Sequence, residues 1–320
     1  MRFLHTIRFS LVFLTFLGVL FSLSAFRVNE EPKDKAALGK KLFFEPMLSL
    51  DTTISCASCH RPEYAFADTS AVSIGVRGQL GTRNTPSAMN MAARSAFFYD
   101  GRVEILAEQV LHPIKNPVEM DLKIVEAVKR LAQHRDYSRW FRKLYKTAPD
   151  SASLSDALTT YIQTLESPGD APADLWLRGV DEKAMTESQV RGRELFLGKG
   201  KCFDCHFSPD FTGDEFRNIG LYNAKDLNDV GRFSQTKDST DLGKFKVPGL
   251  RNIALTAPYM HNGKFKTLAE VIDYYDNPNQ FIPDAQNRDS LLQKPLQLTA
   301  QEKQDLVQFL YALTDKQYQK

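Results

Sequence analysis

No run of basic residues and no basic stripe studded with aromatics occurs in the 320-residue sequence, and 41 lysines and arginines nearly balance 39 acids, for a net charge of +2. A nucleic-acid partner is therefore not expected. Long apolar runs are also missing, with one exception. Leu11 to Phe26 is almost wholly apolar, follows Arg2 and Arg8, and ends among the small residues Ser22, Ser24 and Ala25. That run falls short of a bilayer span of roughly 20 residues. Residues 1–26 are expected to be a secretory signal peptide, which would place the mature chain in the periplasm. The next cysteine is Cys56, so a lipid anchor is not expected. Cysteine is scarce altogether: Cys56, Cys59, Cys202 and Cys205 are the full set.

Each cysteine pair has the same form. CASCH spans 56–60 and CFDCH spans 202–206. Cys-x-x-Cys-His is the attachment signature of a c-type haem. On a helical turn, residues i, i+3 and i+4 share a face. Two sulfurs can then reach the vinyl groups while the imidazole reaches the iron. Two short-loop disulfides or a zinc site built from both pairs are the competing accounts. The trailing histidine in both copies, behind an export signal, favours two covalently bound haem c groups. His60 and His206 are the expected iron ligands.

The surroundings of the motifs also repeat. ALGKKLFF (37–44) precedes the first and VRGRELFL (190–197) the second, each a glycine and a basic residue before Leu-Phe. This pattern suggests an old duplication. The expected fold is mostly α, with two cytochrome c-like haem domains, residues 32–170 and 180–320, and long loops that wrap the haems. ESPGDAPAD (166–174) is the expected linker. Helices are predicted over 121–145, over SLSDALTTYIQTL with Leu154, Ala157, Leu158, Tyr161, Ile162 and Leu165 on one stripe, and at the C-terminal end with Leu306, Phe309, Leu310 and Leu313 on one face. Thr186 with Gln189, Thr267 with Glu270, and Thr299 with Glu302 are predicted capping boxes. Segments 46–102 and 207–264 are rich in Gly, Pro, Asn and Asp and are expected to be loops. Trp140 and Trp176 are expected in packing roles.

From about Ala36 onward the chain resembles the bacterial di-haem cytochrome c peroxidases and their MauG-type relatives. The motifs that carry the likeness are TRNTPS (82–87), FYDGR (98–102), PIKNPVEM (113–120), FKVPGLRN (245–252) and APYMHNG (257–263). The resemblance implies a peroxidatic first haem, an electron-transferring second haem and a calcium ion. Many relatives carry a histidine in the loop after the first motif, and it caps the iron at rest. Here that loop is SIGVRGQLG and the matching residue is Val76. The first iron is therefore expected to be open, with Met89, Met91 and His112 as alternative ligands.

Further residues follow from the same resemblance. Glu119 matches the distal acid–base residue, Gln109 a distal glutamine that orients peroxide, and Pro113 a distal-side proline. Tyr275 matches the sixth ligand of the second iron, with Met260 and His261 as competitors and Tyr274 as its neighbour. Tyr99 stands where a tryptophan usually relays electrons between haems. Asn84, Thr256 and Pro258 match calcium ligands, and Lys246 and Arg251 are candidates to pair with haem propionates. The expected function is an exported peroxidase that reduces hydrogen peroxide with electrons from a small cytochrome c or similar donor. The alternatives are a MauG-like oxidase of a protein or other organic substrate, and a non-catalytic di-haem electron carrier. A homodimer is among the expected assemblies.

Overall fold

In the computed structural model, residues 30–319 are described, and the predicted signal peptide lies outside them. From Asp34 onward the chain forms one compact unit. Helices supply most of its regular structure. The longer ones are α1 (Lys35–Phe43), α2 (Ile124–Gln133), α3 (Arg135–Tyr145), α4 (Ser151–Ile162), α5 (Glu187–Leu197), α6 (Leu268–Asp276) and α7 (Ala300–Tyr311). Strands are minimal: β1 (Phe216–Arg217) pairs antiparallel with β2 (Phe245–Lys246), Phe216 opposite Lys246. Segments 46–102 and 207–264 are otherwise irregular apart from short turns.

Two helix crossings organise the unit, and both depend on a glycine. α1 packs on α4, and α5 packs on α7. A Cβ on Gly39 would overlap the Ala157 carbonyl and approach Tyr161. A Cβ on Gly192 would overlap the Asp305 carbonyl and approach Phe309. Neither glycine has a positive φ, so what each supplies is proximity of two backbones. Around the first crossing lie Leu38, Leu42, Phe43, Trp140, Phe141 and Leu154, all buried. Around the second lie Phe196, Phe211, Tyr274, Leu306, Phe309 and Leu310.

The three predicted capping boxes open α5, α6 and α7. A fourth, Asp150 with Ser153, opens α4. The predicted stripe of α4 is buried throughout, as is the apolar face of α7. One expectation needs correction. Residues 121–145 are not one helical pattern but two helices, α2 and α3, because His134 takes an extended ψ of 120° and its ring accepts from the Tyr137 N–H to cap α3. Trp140 is buried in the first core, and Trp176 packs against the second beneath Arg193.

Contacts distant in sequence join the two cores. Asn252 bonds to Asp315 in both directions, at 2.8 Å each, and Ser167 donates to the same carboxylate. Tyr318 and Leu255 pack against the first core although both follow the second motif. Arg83 binds Asp229 through two nitrogens, at 2.7 and 2.8 Å, and Asp100 through a third at 2.8 Å.

Candidate haem-binding site

The first motif forms a single helical turn, Cys56–Cys59, closed by His60 N–H donating to the Cys56 carbonyl at 2.8 Å. The second forms a tighter turn, Cys202–Asp204, closed likewise by His206 onto Cys202 at 2.9 Å. His60 Nδ1 lies 3.0 Å from the Phe66 carbonyl, and His206 Nδ1 lies 2.9 Å from the Phe211 carbonyl. A carbonyl can only accept, so Nδ1 carries the proton and Nε2 keeps its lone pair for a metal. Burial lowers both imidazole pKa values, which keeps the rings neutral. All four cysteines are unpaired. Burial pushes the Cys56 and Cys202 thiols up to about 12 and those of Cys59 and Cys205 to about 11. Among the described residues no three His, Cys, Asp or Glu side chains gather where they could hold a zinc ion.

A cavity of about 500 Å³ opens beside the first turn. Its wall includes Cys56, Cys59 and His60, and also Gln109, Pro113, Asn116 and Glu119. The size suits a cofactor, since such pockets run roughly 300–1,000 Å³. Among the lining side chains His60 supplies the one imidazole. Val76 is fully buried and lies outside that wall. Its N–H donates to the Glu119 carbonyl at 2.8 Å, so the loop sits against the turn that carries the carboxylate.

The alternative ligands separate. Met89 lines the cavity, but its sulfur receives Asn252 Nδ2 at 3.8 Å and the Tyr318 hydroxyl at 3.7 Å, both within the link between the cores. Met91 lines the cavity. His112 does not; its ring stands edge-on to Phe98, over whose face the Arg102 guanidinium lies at 3.5 Å.

Glu119 is half-buried. Burial raises its pKa, against opposing pulls from the Asn116 hydrogen bond and the Arg102 charge. Asn116 Nδ2 donates to Glu119 Oε1 at 2.6 Å. Asn116 and Arg102 both line the cavity, and sequence reasoning gave neither a role. The Asn-Pro pair at 116–117 was a legible turn signal.

Around the second motif, Tyr274 and Tyr275 part ways. Tyr274 is fully buried and donates its hydroxyl to the Ile219 carbonyl at 2.6 Å. The spacing of Leu268, Val271, Ile272 and Tyr275 would put those four on one buried stripe of α6; instead Leu268, Ile272 and Tyr274 are buried, and Val271 and Tyr275 are partly buried at the edge of the core. Burial raises the Tyr275 phenol far above the usual range, and Tyr274, Cys205 and Cys202 stand near it. Met260 packs against the same core. His261 belongs elsewhere: it stacks on Phe245 with centroids 3.7 Å apart.

Between the motifs, Tyr99 lines the cavity and its carbonyl accepts from Lys246 N–H at 2.8 Å, which ties it to β2. Its ring stands edge-on to His261, with centroids 6.4 Å apart. Burial raises the Tyr99 phenol and lowers His261 to about 4. Lys246 and Arg251 are not free surface cations. Lys246 pairs with Asp214 at 2.8 Å, and Arg251 with Asp174 at 2.8 Å, beside the same cavity. Asn84 is buried, and its N–H donates to the His261 carbonyl at 2.7 Å, which sets it against the segment that holds Thr256 and Pro258. Its side-chain nitrogen is spent on the Ser70 carbonyl, leaving Oδ1 as an acceptor.

A family model described as di-haem cytochrome c peroxidase matches residues 33–182, and one for cytochrome c matches residues 189–314. The chain is similar to the methylamine utilization protein MauG of Methylorubrum extorquens, 36% identical over 90% of this chain and 80% of that protein. It is also similar to the cytochrome c551 peroxidase of Pseudomonas aeruginosa, 35% identical over 91% of this chain and 80% of that protein. Among solved structures, a MauG-like protein associated with microbial copper homeostasis superposes with a TM-score of 0.81 at 34% identity, over 90% of this chain and 91% of the other.

Proposed function

Because the chain belongs to the di-haem cytochrome c peroxidase family, we propose that it is exported to the periplasm and reduces hydrogen peroxide to water with electrons from a cytochrome c or similar donor. Oxidoreductase chemistry and haem c come with the family. The single observation that carries the finer reading is the cavity wall. It sets His60 together with a half-buried carboxylate, Glu119, and an amide, Gln109, without a second imidazole.

Cys56, Cys59 and His60 would hold the first haem; Cys202, Cys205 and His206 would hold the second, with Tyr275 as its sixth ligand. The haems supply the electron transfer in H₂O₂ + 2H⁺ + 2e⁻ → 2H₂O. The chain's own residues manage position and protons. Glu119 takes the proton from one peroxide oxygen and delivers it to the other, which leaves as water. Gln109 orients the peroxide by hydrogen bonding. Tyr99 joins the two halves through β2 and provides an aromatic stepping stone, whose oxidation requires release of its phenolic proton. Asn84 Oδ1 and the carbonyls of Thr256 and Pro258 would hold calcium, since oxygen donors suit that hard cation.

A second reading, oxidation of a protein or other organic substrate, is favoured by Tyr275. An anionic phenolate lowers the potential of the iron it binds, whereas methionine raises it. The second site would then store an oxidising equivalent better than it accepts electrons. A MauG protein and a MauG-like structure are among those this chain resembles.

Stopped-flow mixing of the holoprotein with peroxide tests the proposal. A fast spectral change is expected, and Glu119→Gln should slow it by about 10²–10⁴-fold, the worth of positioned acid–base catalysis. An inert holoprotein would leave an electron carrier. Steady turnover with reduced cytochrome c selects the peroxidase; a fast reaction without turnover selects the second reading.

A further inference from the structure

We propose that Asn116, backed by the loop Gly75–Gln79, is a positioning residue that fixes Glu119 with one carboxylate oxygen held and the other left for the substrate. This rests on Glu119 as the acid–base residue.

Asn116 is held through its backbone, whose N–H donates to the His112 and Pro113 carbonyls, and through its side chain. Its Nδ2 donates to Glu119 Oε1 at 2.6 Å, and its Oδ1 accepts from Val118 N–H at 3.2 Å. A carboxylate needs a donor and an N–H needs an acceptor, so the amide has one orientation. The Asn116 carbonyl accepts from Glu119 N–H at 3.0 Å and from Asp121 N–H at 2.9 Å. The Oε2 atom of Glu119 carries no hydrogen bond among the described residues.

The loop closes on the same turn from outside. Val76 N–H donates to the Glu119 carbonyl at 2.8 Å, Gln79 Nε2 donates to the Pro117 carbonyl at 3.1 Å, and Arg77 pairs with Asp121. A Cβ on Gly75 would overlap the Val118 and Glu119 carbonyls, so the two backbones meet where no side chain fits. The segment that caps the iron in many relatives is here a brace for the acid–base turn.

Three sets of groups face Glu119. Arg102 lines the same cavity and favours the carboxylate. Arg77 and Asp121 neutralise each other. Cys56 and Cys59 become uncharged thioethers in the holoprotein. Removing the Asn116 donor therefore leaves burial less opposed.

The test is the peroxide rate constant of the holoprotein against pH, by stopped flow, in Asn116→Ala, Asn116→Asp and Asn116→Gln, with thermal melts alongside. Asn116→Ala should move the midpoint of the pH profile upward and lower the rate by about ten- to a hundredfold, as expected for loss of a hydrogen bond to a charged group. Asn116→Asp, near in shape but unable to donate when ionised, should move the midpoint further up. Asn116→Gln should restore part of the rate. An unmoved midpoint in both Asn116→Ala and Asn116→Asp, with or without a lower melting temperature, overturns the inference. Glu119→Gln separates the two failures: if it too leaves the rate unchanged, the acid–base reading itself falls.

Discussion

At the scale of single residues, the two neighbouring tyrosines on α6 show how contacts divide roles that sequence leaves tied. Both positions are aromatic and both lie near the same core, but Tyr274 has spent its hydroxyl on the Ile219 carbonyl while Tyr275 lies beside the second cysteine pair. Tyr275→Phe removes one oxygen and keeps the ring, so packing should change little. The electron paramagnetic resonance spectrum of the ferric holoprotein should lose its tyrosine-ligated low-spin signal and gain a high-spin one. Tyr274→Phe should leave that spectrum alone and cost stability, by about 1–3 kcal/mol for the orphaned carbonyl. An unchanged spectrum in Tyr275→Phe would remove it as a ligand and return Met260 to contention. The two Cys-x-x-Cys-His motifs were plain in the sequence, because covalent haem attachment would demand a fixed spacing. Asn116 was not, because a hydrogen bond three residues away leaves no periodic trace.

At the scale of elements, the repeated Gly-basic-Leu-Phe pattern was legible, and the structure supplies its cause. Gly39 and Gly192 occupy equivalent helix crossings, each against the backbone of a partner helix. Gly→Ala in an exposed helix would stabilise, by roughly 1 kcal/mol of propensity. Here the added methyl meets backbone that cannot rotate away. Gly39→Ala and Gly192→Ala should each destabilise the holoprotein by about 1–3 kcal/mol or more, the cost of overpacking. Thermal or denaturant unfolding checks the sign, and a gain in stability would show that the crossings have room. The break at His134 was illegible for a related reason: the apolar spacing runs on through α2 and α3, and only a ring that caps the second helix marks the join. The loops were visible by composition, yet the register that sets Val76 against Glu119 depends on a tertiary contact that no local signal encodes.

At the scale of the whole molecule, the two cores are held together by charges whose partners lie far apart in sequence. Arg83 and Asp229 are 146 residues apart, so nothing near Arg83 in the sequence announces its partner. This fork–fork pair stands next to the segment linking Tyr99 to His261, with the Arg83 guanidinium 5.5 Å from the Phe245 ring on which His261 stacks. Burial alone would raise the Asp229 pKa, but the Arg83 hydrogen bonds and the Gly231 N–H bring it below the usual value. The stability this supplies is present above the unfolded carboxylate range, near 4, and is lost as pH falls through the lower folded value. Arg83→Ala leaves Asp100 paired with Arg102 but strands Asp229. The variant should lose about 2–3 kcal/mol at pH 7, at or just below the range for breaking a buried pair because the site is partly open to solvent. It should lose less at pH 3, below the ordinary aspartate range, where the unfolded chain already carries Asp229 protonated. Arg83→Lys should recover little, since a point charge cannot replace two parallel N–H bonds. If the link also sets the relation of Tyr99 to β2, electron transfer between the haems after one-electron reduction should slow in Arg83→Ala by more than the peroxide rate does, although Arg83 also lines the first cavity. Equal losses at pH 7 and pH 3 would show that Asp229 draws nothing from Arg83. Unaltered inter-haem transfer would confine the pair to stability.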